Sequence, residues 1–328
     1  MTSHHNPQIA WISLGGTLQS VGHSNLDFDR YGTTGLQKRP GEILDDLGPT
    51  MDFVTIAVHE VASNPSHDLS LTDIAEIAQR ISRIALSGDA DGVVVSCGTN
   101  GLEELAFALW LFGLPRVPIV ITAAMRPPTA LASDAYLNLV DAMAIATAPE
   151  AKESGPLIVM NRQVLPPAYA YKMHTDRVDS FQSSQGLLGE IGADGSVRFY
   201  GGSIPVSPGF ALDTFDSGLP RVDIVYSHLG ADGVVIDASV AAGAVAIVCA
   251  GMGAGYTTAT QSHALSKAVS DGVLVCRSRR TPEGRVIHAD EDMLSSESLT
   301  PQKARLVLCF ALAEGWSRAK IDELFRTF

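Results

Sequence analysis

The chain has 328 residues, of which 46% are hydrophobic and 18% are charged, and its formal net charge is −13. This apolar content is enough for the core of one large or two medium domains and argues against long disordered stretches. The acidic balance, with no long cluster of Lys and Arg, disfavours nucleic acid and anionic membranes as partners.

The cysteines and the start of the chain favour a cytoplasmic protein. No CxxC pairing occurs among the cysteines, and reduced core thiols are therefore expected rather than disulfides or a metal site. The first residues lack the basic and long apolar regions of a signal peptide. No segment reaches the roughly 18 apolar residues that span a bilayer. We therefore expect a soluble, cytoplasmic protein without membrane partners.

The first half of the chain alternates strands and helices. Strands are expected at 9–14, 51–61, 93–95, 117–122 and 156–160, and helices at 69–87, 102–112 and 135–148. This alternation predicts a mostly parallel sheet covered by helices on both faces. The polar, weakly patterned segment 18–48, which contains Tyr31, is typical of a lid or binding loop.

Three of the expected strands end in turns that carry a hydroxyl, at Thr17, Ser63 and Thr99. Thr99 and Asn100 lie between glycines, at the point where a strand ends and a helix begins. Ligands bind at such strand ends in open α/β sheets, and glycines permit the close approach of a substrate. Taken alone, each pattern also fits an ordinary turn between a strand and a helix.

The second half repeats the α/β pattern on a smaller scale. Residues 201–221, rich in Gly, Pro, Ser and Asp, are expected to form a linker between a domain at 1–200 and a smaller one at 222–328. Strands are expected at 222–226, 233–236, 244–250 and 273–277, and helices at 258–271, 300–314 and 317–328. A glycine-rich turn at 250–255 lacks the Lys-Ser/Thr of a phosphate loop, so a nucleotide is not expected.

The side chains available for chemistry are two threonines at strand ends, Lys172 and Tyr31. No zinc-type spacing and no Gly-x-Ser-x-Gly motif occurs. A threonine hydroxyl needs an adjacent base to act as a nucleophile. A lysine is such a base only where burial lowers its pKa well below the usual value of about 10.4. The residues permit a Thr–Lys site for acyl transfer, while a surface tyrosine and a solvent-reaching lysine remain the plain alternatives.

Several motifs in the same order resemble the bacterial-type L-asparaginase/glutaminase family. They are Leu14-Gly-Gly-Thr17, Asp91-Gly with Gly98-Thr99 and Glu103-Glu104, Ala124-Met-Arg-Pro with Thr129, Ser133-Asp134, Asn138-Leu139, Tyr169-Ala-Tyr-Lys172 and Pro301-Gln-Lys-Ala-Arg305. Together they span nearly the whole chain, which makes the set far more specific than any single motif.

The resemblance implies a two-domain asparaginase-like α/β fold with mostly parallel sheets flanked by helices. It implies a homotetramer of intimate dimers, with each site shared between neighbouring subunits, and hydrolysis of a small-molecule amide without a metal or another cofactor. Thr17 matches the nucleophile, Tyr31 the lid residue that activates it, and Thr99 and Lys172 a second catalytic pair. Substrate-binding positions carried over in the same way are Gly16, Ser63, Asn64, Asn100, Ala124 and Glu291.

The main departure from the family pattern is Asn100, which replaces an aspartate that faces the α-ammonium of asparagine. A buried ammonium left without a partner costs roughly 3–5 kcal/mol, or about two to three decades in rate. The family's second asparagine-rich turn is also changed, to Gly253-Ala-Gly-Tyr256. We therefore expect specificity to shift from free L-asparagine to a substrate without a free α-ammonium. An ordinary L-asparaginase, a hydrolase of a related lactam or ester, and a non-catalytic binding protein remain alternatives.

Overall fold

Two large sheets organise the chain, one within residues 1–204 and the other within residues 205–328, which form two compact units. The computed structural model describes residues 6–61, 64–115, 117–200, 206–215, 218–287 and 290–328. Each unit has its own apolar core.

The first unit contains an eight-stranded mixed sheet and a separate two-stranded hairpin. Its strands are β1 (Gln8–Ser13), β2 (Thr55–Glu60), β3 (Gly92–Ser96), β4 (Ile119–Thr122), β5 (Pro156–Met160), β6 (Gln163–Leu165), β7 (Ala170–Lys172), β8 (Phe181–Ser183), β9 (Gly189–Ile191) and β10 (Val197–Phe199). The large sheet has the order β10-β9-β6-β5-β4-β3-β1-β2. Strands β2, β1, β3, β4 and β5 run parallel, and the β6, β9 and β10 extension is antiparallel.

Helices cover both faces of the parallel strands. They are α1 (Pro40–Leu47), α2 (Leu71–Ser87), α3 (Leu102–Leu111) and α4 (Ala135–Ala146). On one face, Trp11 and Val94 pack with Leu139 of α4 in a single apolar cluster. Val93 and Val95 point to the opposite face, because side chains alternate along a strand. Both are fully buried, so the sheet is protected on its two sides, as its continuous apolar strands require.

The strands end together at one edge of this sheet, and this edge positions the candidate site. Ser13 of β1 lies in register with Glu60 of β2 and with Ser96 of β3, and Ser96 in turn pairs with Thr122 of β4. The turns that follow these four strands therefore emerge side by side. This is the edge at which open α/β sheets bind ligands.

The second unit is built on a four-stranded parallel sheet with the order β11-β12-β13-β14. Its elements are β11 (Val222–Tyr226), α5 (Val234–Ala241), β12 (Ala246–Gly251), α6 (Ala259–Ser270), β13 (Leu274–Arg279), β14 (Leu294–Ser295), α7 (Pro301–Ala313) and α8 (Arg318–Phe325). Ile247 and Val275 of the sheet pack against Leu265 of α6 in its core.

Two expectations about secondary structure are wrong. The segment 18–48 is not free of regular structure, because α1 begins at Pro40, where the Glu42 carboxylate accepts a hydrogen bond from the Arg39 N–H at 2.7 Å. The segment 233–236 is not a strand but the start of α5, where Asp232 Oδ1 accepts from the Val234 N–H at 3.0 Å. The β-branched residues of this segment suggested a strand, but the hydrogen bond from Val234 to Asp232 stabilises the start of a helix.

The structure adds three observations on cysteines, metal sites and membrane-spanning helices. All four cysteines are free and buried. Within the described part of the chain, no group of His, Cys, Asp and Glu has an arrangement that could hold a metal ion. In the same residues, no helix combines the length and the hydropathy needed to cross a bilayer.

Candidate active site

A cleft of about 960 Å³ opens at the strand-end edge of the first unit. Its lining comes from the turns after β1, β2, β3 and β4, from the lid segment that follows Thr17, and from the end of β7. The polar and charged side chains on its walls are Ser13, Thr17, Gln19, Ser20, Tyr31, Gln37, Glu60, Asn64, Ser66, His67, Thr99, Asn100, Lys172 and Thr175. Hydroxyl, amide, carboxylate and amine groups thus face one space.

Thr17 is presented by a sharp turn directly after β1. Gly15 and Gly16 both adopt positive φ, at 79° and 86°, a conformation that side chains disfavour. A short 3₁₀ turn begins at Thr17 itself, and the Ser20 N–H donates to the Thr17 carbonyl at 3.1 Å. The Thr17 side chain is buried, and its Oγ1 lies 3.0 Å from the Tyr31 hydroxyl. The first predicted pair is therefore in hydrogen-bond contact.

The lid segment that carries Tyr31 is tied to the sheet through Gln19. The Gln19 Oε1 accepts from Ser13 Oγ at 2.9 Å, and its Nε2 donates to the Lys38 carbonyl at 3.0 Å. The Lys38 N–H donates in return to the Gln19 carbonyl at 2.7 Å. These contacts join the two ends of the lid at the end of β1, so that Tyr31 is held over Thr17.

Asp27 organises the middle of the same lid. Its carboxylate accepts from the His23 N–H at 2.9 Å and from the Arg30 N–H at 2.8 Å. The hydrogen bond from His23 is the main cause that holds the pKa of Asp27 below its ordinary value. The anion is thus the form that fits this loop, directly before Tyr31.

Thr99 and Lys172 form the second predicted pair. The Lys172 ammonium Nζ donates to Thr99 Oγ1 at 2.9 Å and to Asn100 Oδ1 at 3.3 Å. Burial lowers the pKa of Lys172, and the nearby Glu103 carboxylate opposes this effect. Burial therefore moves Lys172 towards the neutral amine, which is the form that can accept a proton from Thr99.

The turns that carry Thr17 and Thr99 touch through their glycine backbones. A Cβ on Gly16 would lie 2.6 Å from the Gly98 nitrogen, and a Cβ on Gly98 would lie 2.5 Å from Ser66 Oγ. The first contact is with backbone and leaves no room for a side chain, and the second would require Ser66 to move. The Gly16–Gly98 contact brings the two threonine pairs to the same cleft, and Ser66 fixes the segment after β2 against them.

The structure brings most of the predicted site residues together. Thr17, Tyr31, Thr99, Lys172, Gly16, Asn64 and Asn100 all line the cleft. Ser63 lies outside the described residues. Ala124 is fully buried, and among the described lining residues its turn is represented by Met125. Glu291 belongs to the second unit, where it is exposed and its carbonyl accepts from Arg318 Nη2 at 2.8 Å.

The turn that contains Ala124 is fixed by Asp134. Its carboxylate accepts from the Met125 N–H at 2.9 Å and from the Arg126 N–H at 2.8 Å. Asn138 Nδ2 donates to the same carboxylate at 2.9 Å and to the Ala123 carbonyl at 3.0 Å. The Ser-Asp and Asn-Leu motifs therefore serve to shape this turn.

Three site features were not predicted from the sequence. Glu60 is an exposed carboxylate on the cleft wall, and it is the only acid among the described residues that line the cleft. His67 adds a titratable ring to the same wall. The buried Glu103 carboxylate accepts a hydrogen bond from the Lys172 backbone N–H. The Glu-Glu pair after Thr99 is a sequence signal for Glu103. The sequence gives no signal for Glu60, because Glu60 reaches the cleft through the register of β2 with β1.

Asn100 is exposed, although the charge argument above assumed a buried ammonium at this position. An exposed ion pair contributes about 0–1 kcal/mol, well below the figure for a buried one. The loss of charge at Asn100 therefore has a smaller effect on asparagine binding than the sequence alone suggested.

Comparisons with known proteins identify the family of the chain. The model of the asparaginase N-terminal domain matches residues 8–204, and that of the glutaminase/asparaginase C-terminal domain matches residues 221–325. L-asparaginase 2 of Bacillus subtilis is 32% identical over 98% of this chain and 87% of its own length. The glutaminase-asparaginase of Pseudomonas aeruginosa is 29% identical over 96% of this chain and 88% of its own length.

A solved structure extends the likeness to the fold. The crystal structure of a probable cytoplasmic L-asparaginase from Campylobacter jejuni is 31% identical, covers 98% of this chain and 100% of its own, and superposes with a TM-score of 0.91. The chain therefore belongs to the asparaginase family, whose members are amidohydrolases acting on carbon–nitrogen amide bonds.

Proposed function

We propose that this protein hydrolyses the carboxamide of an asparagine-related small molecule through a threonine acyl-enzyme, with specificity shifted away from free L-asparagine. The observation that carries the proposal is the presence of two hydrogen-bonded pairs in one cleft, Thr17 with Tyr31 and Thr99 with Lys172. Each pair joins a hydroxyl nucleophile to a group that can receive its proton.

In the first half-reaction, Thr17 Oγ1 attacks the amide carbon and its proton passes to the Tyr31 oxygen. The Tyr31 proton moves to the departing nitrogen, which leaves as ammonia, and an ester on Thr17 remains. In the second half-reaction, water attacks this ester. Its proton passes through the Thr99 hydroxyl to the neutral amine of Lys172. As the tetrahedral intermediate collapses, this proton returns to the departing Thr17 oxygen, so that the acid, free Thr17 and neutral Lys172 are formed. The reverse order of the two threonines is the alternative within this mechanism.

The shift in specificity follows from Asn100. Its amide oxygen accepts a hydrogen bond from Lys172, as a carboxylate would, but it has no charge to attract an α-ammonium. Substrates that lack this charge, such as N-substituted asparagines and dicarboxylic monoamides, lose nothing by the replacement. The chemical step, which depends on the threonine pairs, is retained.

Glu60 supports a second candidate, an ordinary L-asparaginase. As the acid of the described cleft lining, it is placed to take over the attraction of an α-ammonium. The names of the relatives, L-asparaginase 2 and glutaminase-asparaginase, point in the same direction.

Ammonia release against L-asparagine, D-asparagine, L-glutamine, N-acetyl-L-asparagine and succinamate distinguishes the two candidates. We expect turnover of the last two substrates at kcat/KM values up to about fivefold above that of L-asparagine, because the exposed Asn100 lacks an ion pair of about 0–1 kcal/mol. The opposite preference would establish the ordinary asparaginase, and a protein silent on every amide would contradict both. A homotetramer and a cytoplasmic location complete the proposal, and light scattering of the purified protein tests the first of them.

A further inference from the structure

The start of α3 holds Lys172 at two points. At the end of the side chain, Nζ donates to Thr99 Oγ1 and Asn100 Oδ1. At the backbone, the Lys172 N–H donates to the carboxylate of Glu103, which is buried in the first turn of the same helix. Residues at the start of one helix thus hold both the backbone N–H and the terminal amine of Lys172.

We propose that Glu103 is a positioning residue, whose carboxylate anchors the end of β7 so that Lys172 Nζ meets Thr99. The inference rests on the proposed function, because it gives Glu103 a role only through a working Thr99–Lys172 pair. Without this anchor, the backbone of the short strand β7 loses its hydrogen bond to the first turn of α3. The lysine then samples positions from which Nζ does not reach Thr99.

The charge of Glu103 has a second effect on the same pair. The elements packed most closely against β7 are β8 and α3. Strand β8 has no titratable side chain, whereas α3 contributes Glu103 and Glu104. The cleft lining adds Glu60 and His67. Of these groups, Glu103 is the one whose charge raises the pKa of Lys172 against the effect of burial. Because Asn100 carries no charge, the carboxylate that raises the pKa of Lys172 is that of Glu103.

Two substitutions separate the hydrogen bond from the charge. Glu103→Gln keeps an oxygen that accepts from the Lys172 N–H and removes the charge, and Glu103→Ala removes both. On the best substrate of the amide panel, we expect Glu103→Ala to lower kcat roughly tenfold or more with little change in KM. Glu103→Gln restores plateau kcat to within about threefold of the unmodified enzyme. In Glu103→Gln, the fall of kcat at low pH (the acidic limb of the pH profile) moves to lower pH, because Lys172 loses its proton more easily.

Glu104→Gln is the matched control, since it removes a carboxylate from the same helical turn. We expect it to leave the acidic limb in place. Melting temperatures of all variants show whether a loss of kcat reflects loss of the fold. Equal plateau kcat in Glu103→Ala and the unmodified enzyme would overturn the anchoring role.

A second readout does not depend on turnover. Acetic anhydride acylates an amine only in its neutral form. At a fixed, short labelling time, mass spectrometry of the peptide containing Lys172 therefore gives the pH at which labelling of this lysine reaches half of its maximum. We expect this midpoint to fall in Glu103→Gln and to stay in Glu104→Gln. An unchanged midpoint in Glu103→Gln would overturn the tuning role. Should Lys172→Met retain full activity, the proposed function fails, whereas the labelling result still decides whether Glu103 acts on Lys172.

Discussion

Gly16 lies against the backbone of Gly98, so closely that a Cβ on Gly16 would be 2.6 Å from the Gly98 nitrogen. Each glycine directly precedes a threonine of the cleft. The contact therefore fixes the spacing between Thr17 and Thr99, which belong to turns after neighbouring parallel strands.

Gly16→Ala is expected to destabilise the protein and to abolish turnover. Alanine at positive φ costs about 1–2 kcal/mol, and the contact with Gly98 adds about 1–3 kcal/mol of overpacking. Gly15→Ala is the matched control, because Gly15 also has positive φ, but its nearest atoms are side-chain oxygens 3.8 and 3.9 Å away. Chemical unfolding and kcat measure both effects. Equal destabilisation by the two substitutions would show that the contact does not matter.

The sequence predicted most of the first unit, because β3, β4 and β5 are continuous apolar runs and α2 begins with a capping box at Ser70. Strand β5 was predicted with its observed bounds, and the predicted start of α2 lies two residues before the observed one. The antiparallel extension was not predicted. Its strands have three residues each, which is too short for an alternating pattern to be recognised.

The site was predicted where a motif carries it and missed where only three-dimensional packing creates it. Thr17, Tyr31, Thr99 and Lys172 came from motifs that resemble a known family, and the structure brings them together in two pairs. Glu60 reaches the cleft because β2 is aligned with β1, and register is not visible in sequence. The exposure of Asn100 likewise depends on the depth of the cleft.

Tyr31→Phe is expected to lower kcat by roughly two decades or more, because the hydroxyl that exchanges protons with Thr17 is lost while the ring remains. Tyr136→Phe is the matched control. The Tyr136 hydroxyl hydrogen-bonds to Asp46 and Lys38 and does not line the cleft. We expect this variant to lose some thermal stability and to keep its kcat. A Tyr31→Phe enzyme with the activity of Tyr136→Phe would remove Tyr31 from the mechanism.

Asn100→Asp is expected to raise kcat/KM for L-asparagine by up to about fivefold, because an exposed ion pair contributes about 0–1 kcal/mol. The new carboxylate supplies the charge for an α-ammonium, and its effect on N-acetyl-L-asparagine should be small or negative. It also faces Lys172 Nζ, which now donates to the Asn100 amide. We therefore expect the acidic limb of the pH profile to move to higher pH. No gain with L-asparagine would refute the charge argument.

Glu60→Gln tests whether another carboxylate has replaced the missing one. Should Glu60 attract an α-ammonium, the substitution raises KM for L-asparagine several-fold, with about 0–1 kcal/mol expected for an exposed ion pair. The KM for succinamate, which has no ammonium, stays the same. On the proposed shift in specificity, we expect the two substrates to respond alike. A selective loss with L-asparagine would favour the ordinary asparaginase.

The Asp141–Arg162 pair gives the stability of the first unit a pH dependence. Asp141 is buried, its Oδ2 lies 3.8 Å from Arg162 Nε, and neither of these two atoms has a hydrogen-bond partner. Burial raises the pKa of Asp141 from 3.8 to about 6, and Arg162 only partly opposes this effect. The folded protein thus holds this proton more tightly than the unfolded chain does.

A raised pKa stabilises the fold at low pH, so the contribution of Asp141 is complete below pH 3.8 and is lost as the pH rises through about 6. The amount is roughly 3 kcal/mol. In Asp141→Asn, we expect the free energy of unfolding to fall less, or not at all, over this interval. Asp179→Asn is the control, because Asp179 is an exposed partner of Arg177 whose pKa is lowered rather than raised. Chemical unfolding at intervals from pH 4 to pH 7 measures both variants. Parallel curves for Asp141→Asn and the unmodified protein would show that Asp141 is ionised in the fold throughout, and that Arg162 offsets the cost of its burial.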